Sequence, residues 1–252
     1  MSVTAPLAGK TALVTGAARR VGAQIVRHLH ARGANVVIHC HRSLAEAQAL
    51  AAELEATRPD STLVYSADLL DTDALLVLPA ACLTRFARLD ILVNNASTFY
   101  PTRFGAISAG EWADLMGTNL KAPLFLTQAA APALRSTQGL VVNIADIHGQ
   151  RPLRDYMVYS IAKAGLIQLT RALARELAPE VRVNAVAPGP VMWPEAAAAL
   201  DTARQQQIVA RTLLQRHGSA EDVARTVGFF ATEAPFVTGQ ILAVDGGRSL
   251  GW

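Results

Sequence analysis
Short apolar runs alternate with longer stretches whose apolar residues recur at helical spacing, along almost the whole chain. Lys10–Gly16 (KTALVTG) is the first run and reads as a strand. Val21, Ile25 and Leu29 follow on one helix face, and Gly33 is the expected stop. Ala34–His39 (ANVVIH) is the second strand, and Ala45–Thr57, rich in Ala, Glu and Leu, the second helix. Thr62–Tyr65 is strand-like, and Asp71–Arg88 is mostly helical with Pro79 as a candidate kink. Ile91–Val93 is a short buried strand, and Glu111–Leu134 a long helical stretch interrupted at Pro123. Leu140–Ile144 reads as strand, Met157–Leu177 as helix and Val181–Val186 as strand. An irregular region follows, then a helix near Ala220–Phe230 and a last strand over roughly 240–244.

Apolar strands joined by helical crossovers predict an α/β fold: a doubly wound, mostly parallel sheet with helices on both faces, of Rossmann type. No Gly/Ser-rich linker or charge block divides the chain, so residues 1–252 are expected to form one domain. The segment 188–216 carries Pro188, Gly189, Pro190 and Pro194. It is either a mobile substrate loop or an ordinary long connection.

Composition narrows the classes of partner. With 51% hydrophobic and 17% charged residues the chain is globular, not disordered. The 23 Lys and Arg exceed the 20 Asp and Glu by only three, spread along the sequence, which is not the footprint of a nucleic-acid binder. Cys40 and Cys82 offer neither CxxC spacing nor a disulfide framework, so no metal is expected. Met1–Gly9 lacks a signal-peptide pattern, and no apolar run is long enough for a membrane helix. A cytoplasmic location with reduced thiols is the expectation.

The first strand runs into Thr15-Gly16-Ala17-Ala18-Arg19-Arg20-Val21-Gly22, and a helix follows. Glycines let backbone approach phosphates, and a helix N-terminus offers free N–H groups to an anion. Arg20 stands where a glycine is common; its guanidinium suits a pyrophosphate and reaches toward a substrate. The second strand ends in His39-Cys40-His41-Arg42-Ser43, without the acid that would bind unphosphorylated ribose hydroxyls. Arg42 and Ser43 instead suit a 2′-phosphate, so the expected cofactor is NADP(H). For His39 a buried strand position is the better reading. Asp68 either accepts from an adenine amino group or caps the next helix.

Tyr159 and Lys163 lie four apart in a predicted helix and share a face. An ammonium there is expected to lower the phenol pKa and make it a usable acid. With that pair the chain resembles the short-chain dehydrogenase/reductases over nearly its whole length. The shared motifs are TGxxxxxG at Thr15–Gly22, NNA at Asn94–Ala96, Asn119, YxxxK at Tyr159–Lys163, PG at Pro188–Gly189 and VDGG at Val244–Gly247. The resemblance implies that Gly16, Arg20, Val21, Gly22, His41, Arg42 and Ser43 hold the dinucleotide on one side. On the other side it implies Asp68, Leu69, Asn95, Ala96, Ser97, Pro188 and Gly189, with Tyr159 and Lys163 at the nicotinamide ribose. It further implies that Asn119 helps hold a proton-relay water. The plainer alternative for Asn119 is a helix-kink residue satisfied by backbone.

One position departs from the family. Thirteen residues before the Tyr, where a Ser is usual, stands Asp146. A hydroxyl donates to a carbonyl and its developing alkoxide, whereas an ionised carboxylate only accepts and opposes the alkoxide. Ring N–H groups, or an imine that must be protonated, fit an acid there better. A cap at the strand end is the second reading of Asp146.

Arg20, His41-Arg42-Ser43, the run Asn95–Thr102 and Asp146 with Tyr159 look like the pteridine reductases within the family. That resemblance implies a pterin- or folate-type substrate, with Phe99 stacked on the pterin and contacts from Ser97 and Arg20. Some pteridine reductases also place an Arg near the C-terminus; this chain ends Gly251-Trp252. A homotetramer is expected from the resemblance, together with the apolar segments Leu124–Leu134 and Val223–Phe230. The rival readings are a carbonyl or 3-oxoacyl reductase and a non-catalytic NADPH sensor.

Overall fold
The computed structural model describes residues 5–193 and 200–251. Seven strands form one sheet: β1 (Thr11–Val14), β2 (Asn35–Cys40), β3 (Thr62–Ser66), β4 (Ile91–Asn94), β5 (Leu140–Ile144), β6 (Arg182–Pro188) and β7 (Ile241–Val244). Their order is β3-β2-β1-β4-β5-β6-β7, and every pairing is parallel, so the sheet is wholly rather than mostly parallel among the described residues. The chain steps from β1 to β2 and β3 on one side, then crosses to β4 on the other. The crevice beyond the carboxyl ends of β1 and β4 is therefore the topological switch point, where ligands of such sheets bind.

The central strands are apolar throughout because both faces are covered. Successive side chains point to opposite faces. Val14, Val36, Ile38, Val93 and Val142 enter one core with α1 (Arg20–Ala31), α2 (Leu44–Glu55) and α8 (Ala220–Thr232). Leu13, Val37, Leu92 and Val141 enter the other, with α3 (Thr72–Phe86), α5 (Ala122–Ser136) and the far end of α6 (Met157–Glu176).

Pro79 lies inside α3, which runs on past it to Phe86, in line with the mostly helical stretch expected there. Two local features differ from the sequence expectation. The long stretch after Glu111 does not break at Pro123. It breaks one turn earlier, where α4 (Ala109–Met116) passes into a π-helical segment, Gly117–Lys121. Proline lacks an N–H and is tolerated in a first helical turn, so Pro123 starts α5 instead of stopping a helix. The region expected to be irregular holds α7 (Thr202–Ala210), capped by Asp201 accepting from the Arg204 amide at 2.7 Å. None of its residues is buried, which is why TARQQQIVA shows no apolar face. Pro194 and Trp252 lie outside the described residues.

The segments expected to pair subunits are mostly interior. Leu126, Ala130 and Leu134 of α5, and Val223, Val227 and Phe230 of α8, are buried within the monomer, leaving Leu124 and Phe229 facing out. Among the described residues no helix is long and apolar enough to cross a membrane.

Candidate active site
The turn after β1 is built for close approach. Gly16 has φ +59°, and a Cβ there would meet Ala96 Cα at 2.8 Å. At Gly22 a Cβ would lie 2.6 Å from Asn95 Nδ2 and 2.9 Å from Ala17 Cα. Neither position admits a side chain, because these motifs are packed on one another at the switch point. Asn95 Nδ2 donates to Thr15 O (2.8 Å) and Gly16 O (3.0 Å). Thr15 Oγ1 accepts from the Asn95 and Ala96 amides at 2.9 and 3.0 Å. Asn95 and Ala96 thus act first as braces of the turn. Val21 packs its side chain against the core.

Arg20 has φ +55°, the left-handed region that favours glycine, which is the physical sense of a glycine being common there. Its guanidinium donates to Trp193 O at 2.8 Å, tying the turn to the chain after β6. The Trp193 ring lies 4.3 Å from that of His217. Sequence reasoning singled out neither residue. At the β6 end, the Gly189 amide donates to Val244 O at 3.0 Å, so the PG and VDGG motifs meet in space.

The end of β2 presents Arg42, exposed and without an ion pair among the described residues, beside Ser43 at the N-cap of α2. The Ser43 hydroxyl makes no cap hydrogen bond. His41 Nε2 lies 3.8 Å from Asp68 Oδ2. Asp68 does not cap α3. Asp71 does, accepting from the Asp73 amide, while Asp68 Oδ1 accepts from the Leu70 amide at 2.9 Å. Leu69 turns its side chain into the core, leaving only its main chain to a ligand. His39 is buried, as expected of a strand residue, but both its ring nitrogens are engaged.

Tyr159 O–H donates to Asp146 Oδ2 at 2.8 Å, and Asp146 Oδ1 accepts from the His148 amide at 2.8 Å. One carboxyl oxygen thus caps a short 3-10 turn, the second reading made from the sequence, and the other holds the phenol. Lys163 is buried, and its Nζ donates to Ile144 O at 2.9 Å, with the Tyr159 ring centroid 5.6 Å away. The expected lowering of the Tyr159 pKa is not found. Burial, and then the Asp146 charge, push it well above the usual phenol range. The nearest charge is the carboxylate, not the ammonium. Burial pushes Lys163 down to about 8, opposed by Asp146.

Asn119 sits in the π segment, a distortion often found at functional sites. Its Nδ2 donates to Leu115 O (2.9 Å) and Thr98 O (3.1 Å), and its Oδ1 accepts from Ser97 Oγ at 2.6 Å. Both amide protons are thus taken by backbone, and Ser97 is joined to Asn119. Phe99 stacks on Tyr156 (4.5 Å, 17°) and meets Tyr159 edge-on at 4.8 Å. Tyr156, at the N-cap of α6 three residues before Tyr159, escaped the sequence reading. Asn94 was read only as part of the NNA motif. It donates to Asn143 Oδ1 (2.8 Å), whose amide reaches Thr170, a buried ladder that locks β4, β5 and α6 together under the site.

Comparison with known proteins gives four results. The family described as enoyl-(acyl carrier protein) reductase matches residues 16–249. Pteridine reductase 1 of Leishmania tarentolae is 39% identical over 290 aligned positions, covering 99% of this chain and 98% of that protein. A 3-oxoacyl-(acyl-carrier-protein) reductase of Staphylococcus aureus is 35% identical over 241 residues, 94% of this chain and 97% of that one. A similarly named protein of Synechocystis is 34% identical over 245 residues, 96% and 97% of the two chains.

Proposed function
Because the chain belongs to the short-chain dehydrogenase/reductase family, we propose that it is an NADPH-dependent pteridine reductase acting on dihydropterin or dihydrofolate. The observation that carries this reading is Asp146 hydrogen-bonded to Tyr159 where relatives usually place a serine. A carboxylate in that place accepts from ring N–H groups and repels an alkoxide. When bound, NADPH supplies a hydride to the ring carbon of a C=N bond. Tyr159, coupled to Asp146, gives the proton to the adjacent ring nitrogen, and the phenolate left behind is reprotonated from water. Lys163, charged below about pH 8, offsets negative charge as the phenol gives up its proton. Phe99, with Tyr156 on one face, offers an aromatic surface to a flat heterocycle. Ser97 and Arg20 supply polar contacts, and Asn119 helps hold a proton-relay water.

The resemblance to a protein named pteridine reductase 1 supports this reading. The relatives named 3-oxoacyl reductases support carbonyl reduction as the second. Incubation with NADPH and dihydrobiopterin, dihydrofolate or a 3-oxoacyl thioester, followed by loss of NADPH absorbance, separates them. Turnover of the thioester alone overturns the first reading.

Gly16, Gly22 and Arg20 suit the pyrophosphate, with Pro188–Gly189 and Lys163 toward the nicotinamide end. His41, Arg42, Ser43 and Asp68 suit the phosphorylated adenosine. Arg42→Ala is expected to weaken NADPH binding by roughly 1–3 kcal/mol and leave NADH unchanged, since only NADPH carries the 2′-phosphate. Equal weakening of both cofactors, measured by titration, would remove Arg42 from that role.

A cytoplasmic homotetramer completes the proposal. Leu124, Met157 and Ile161 of α5 and α6, and Phe229, Leu242 and Leu250 toward the end of the chain, are apolar and exposed. They suit two separate two-fold contacts. Light scattering at micromolar concentration should give four times the chain mass; a monomer mass refutes it.

A further inference from the structure
We propose that His39 is a positioning residue of the dinucleotide site, its ring clamping the phosphate turn at Gly16 to the adenine-side loop at Ala67–Asp68. The inference rests on the reading that this crevice holds NADPH. Gly16 N donates to His39 Nδ1 at 3.2 Å. A main-chain amide can only donate, so Nδ1 is the bare acceptor and Nε2 carries the proton. That proton goes to Ala67 O, 3.1 Å away. The next amide of the turn, Ala17 N, donates to the main-chain oxygen of His39 at 2.8 Å. One residue therefore holds two successive amides of the turn and, from its other side, the residue before Asp68.

A core strand position would ordinarily take an aliphatic side chain. Val37, two residues earlier on the same face of β2, does so. His39 is 1% exposed, and burying an imidazole costs free energy unless both nitrogens are partnered. Both are partnered, and by two loops that no strand pairing joins directly. Its folded pKa of about 4, set chiefly by burial, keeps the ring neutral and this tautomer in place at working pH.

The two contacts can be separated, because an asparagine amide reaches the place of Nδ1 and a glutamine amide the place of Nε2. His39→Asn keeps an acceptor for Gly16, His39→Gln keeps a donor for Ala67, and His39→Leu keeps neither. The measurement is NADPH binding to each protein by fluorescence titration, without substrate, beside its Tm. His39→Asn and His39→Gln each release one end of the clamp and are expected to raise the Kd about tenfold, the worth of one net hydrogen bond, and His39→Leu, which releases both, at least as much. An Asn or Gln variant that binds like the parent overturns the clamp, as does a Leu variant that binds like the parent or losses that track Tm alone. Should His39→Leu not fold, the Asn and Gln pair decides. A parent protein that does not bind NADPH overturns the cofactor reading itself, which is a different result from parent binding with indifferent variants.

Discussion

Replacing Asp146 by serine is expected to slow dihydrobiopterin reduction by roughly 10²–10⁴-fold while NADPH affinity is unchanged, the usual worth of one positioned acid or base. The substitution isolates the chemistry from the fold. Asp146 caps the short turn through Oδ1 and holds Tyr159 through Oδ2. Serine is as good an N-cap as aspartate, so the cap to the His148 amide survives. What disappears is the negative charge beside the phenol. The Tyr159 pKa should then fall toward the ordinary range, because that charge is one of the causes raising it, though burial, the larger cause, remains. A hydroxyl in this place can also donate to a carbonyl oxygen, so slight activity on a 3-oxoacyl thioester is expected to emerge. Steady-state kinetics of both proteins on both substrates make the comparison. If Asp146→Ser reduces the pterin as fast as the parent, Asp146 is only a cap, and the case for pteridine over carbonyl chemistry fails.

Tyr159→Phe should lose about 10²–10⁴ in kcat with little change in Tm or NADPH affinity, since it removes the proton donor and leaves the aromatic ring in place. The partly exposed Asp146 can take water in place of the lost O–H donor. The parent enzyme should also show a basic limb in kcat/KM near pH 8, where buried Lys163 loses its proton. The sign follows from the environment. Desolvation disfavours the ammonium and brings its pKa down, while Asp146 acts to raise it. Removing the carboxylate therefore moves the limb to lower pH, and residual activity of Asp146→Ser should show that shift. A limb at the same pH in both proteins, or none in the parent below pH 10, contradicts the placement of Lys163 in the proton path.

The alternation of strands and helices, the phosphate turn and the Tyr159–Lys163 face were legible in the sequence because each is a local pattern. Strand β1 needs an apolar run, the turn needs Gly16 and Gly22, and a spacing of four puts two side chains on one helix face. The pairing of Asp146 with Tyr159 was anticipated only through family resemblance, since nothing local in thirteen residues of chain dictates a 2.8 Å contact. The missed features lack a local signal. Helix α7 buries no residue and so has no apolar stripe to read. The π segment at Gly117–Lys121 leaves Asn119 Nδ2 bonded to Leu115 O and to Thr98 O across the site, a preference that Asn119 expresses only once Thr98 is beside it.

The direction of the Tyr159 pKa is the clearest case of what only the tertiary structure decided. From spacing alone, Lys163 is the neighbour and the shift is downward. In the folded chain the phenol is buried and its oxygen touches a carboxylate, while the ammonium turns to Ile144 O. Charge and desolvation act through space and depend on distance and dielectric, which sequence separation does not encode. His39 carries the same lesson. Its place on an apolar strand identified it as buried, and that was correct. Its two ring contacts, to Gly16 and Ala67, exist only because β1 and β3 flank β2 in the sheet and end at the same level.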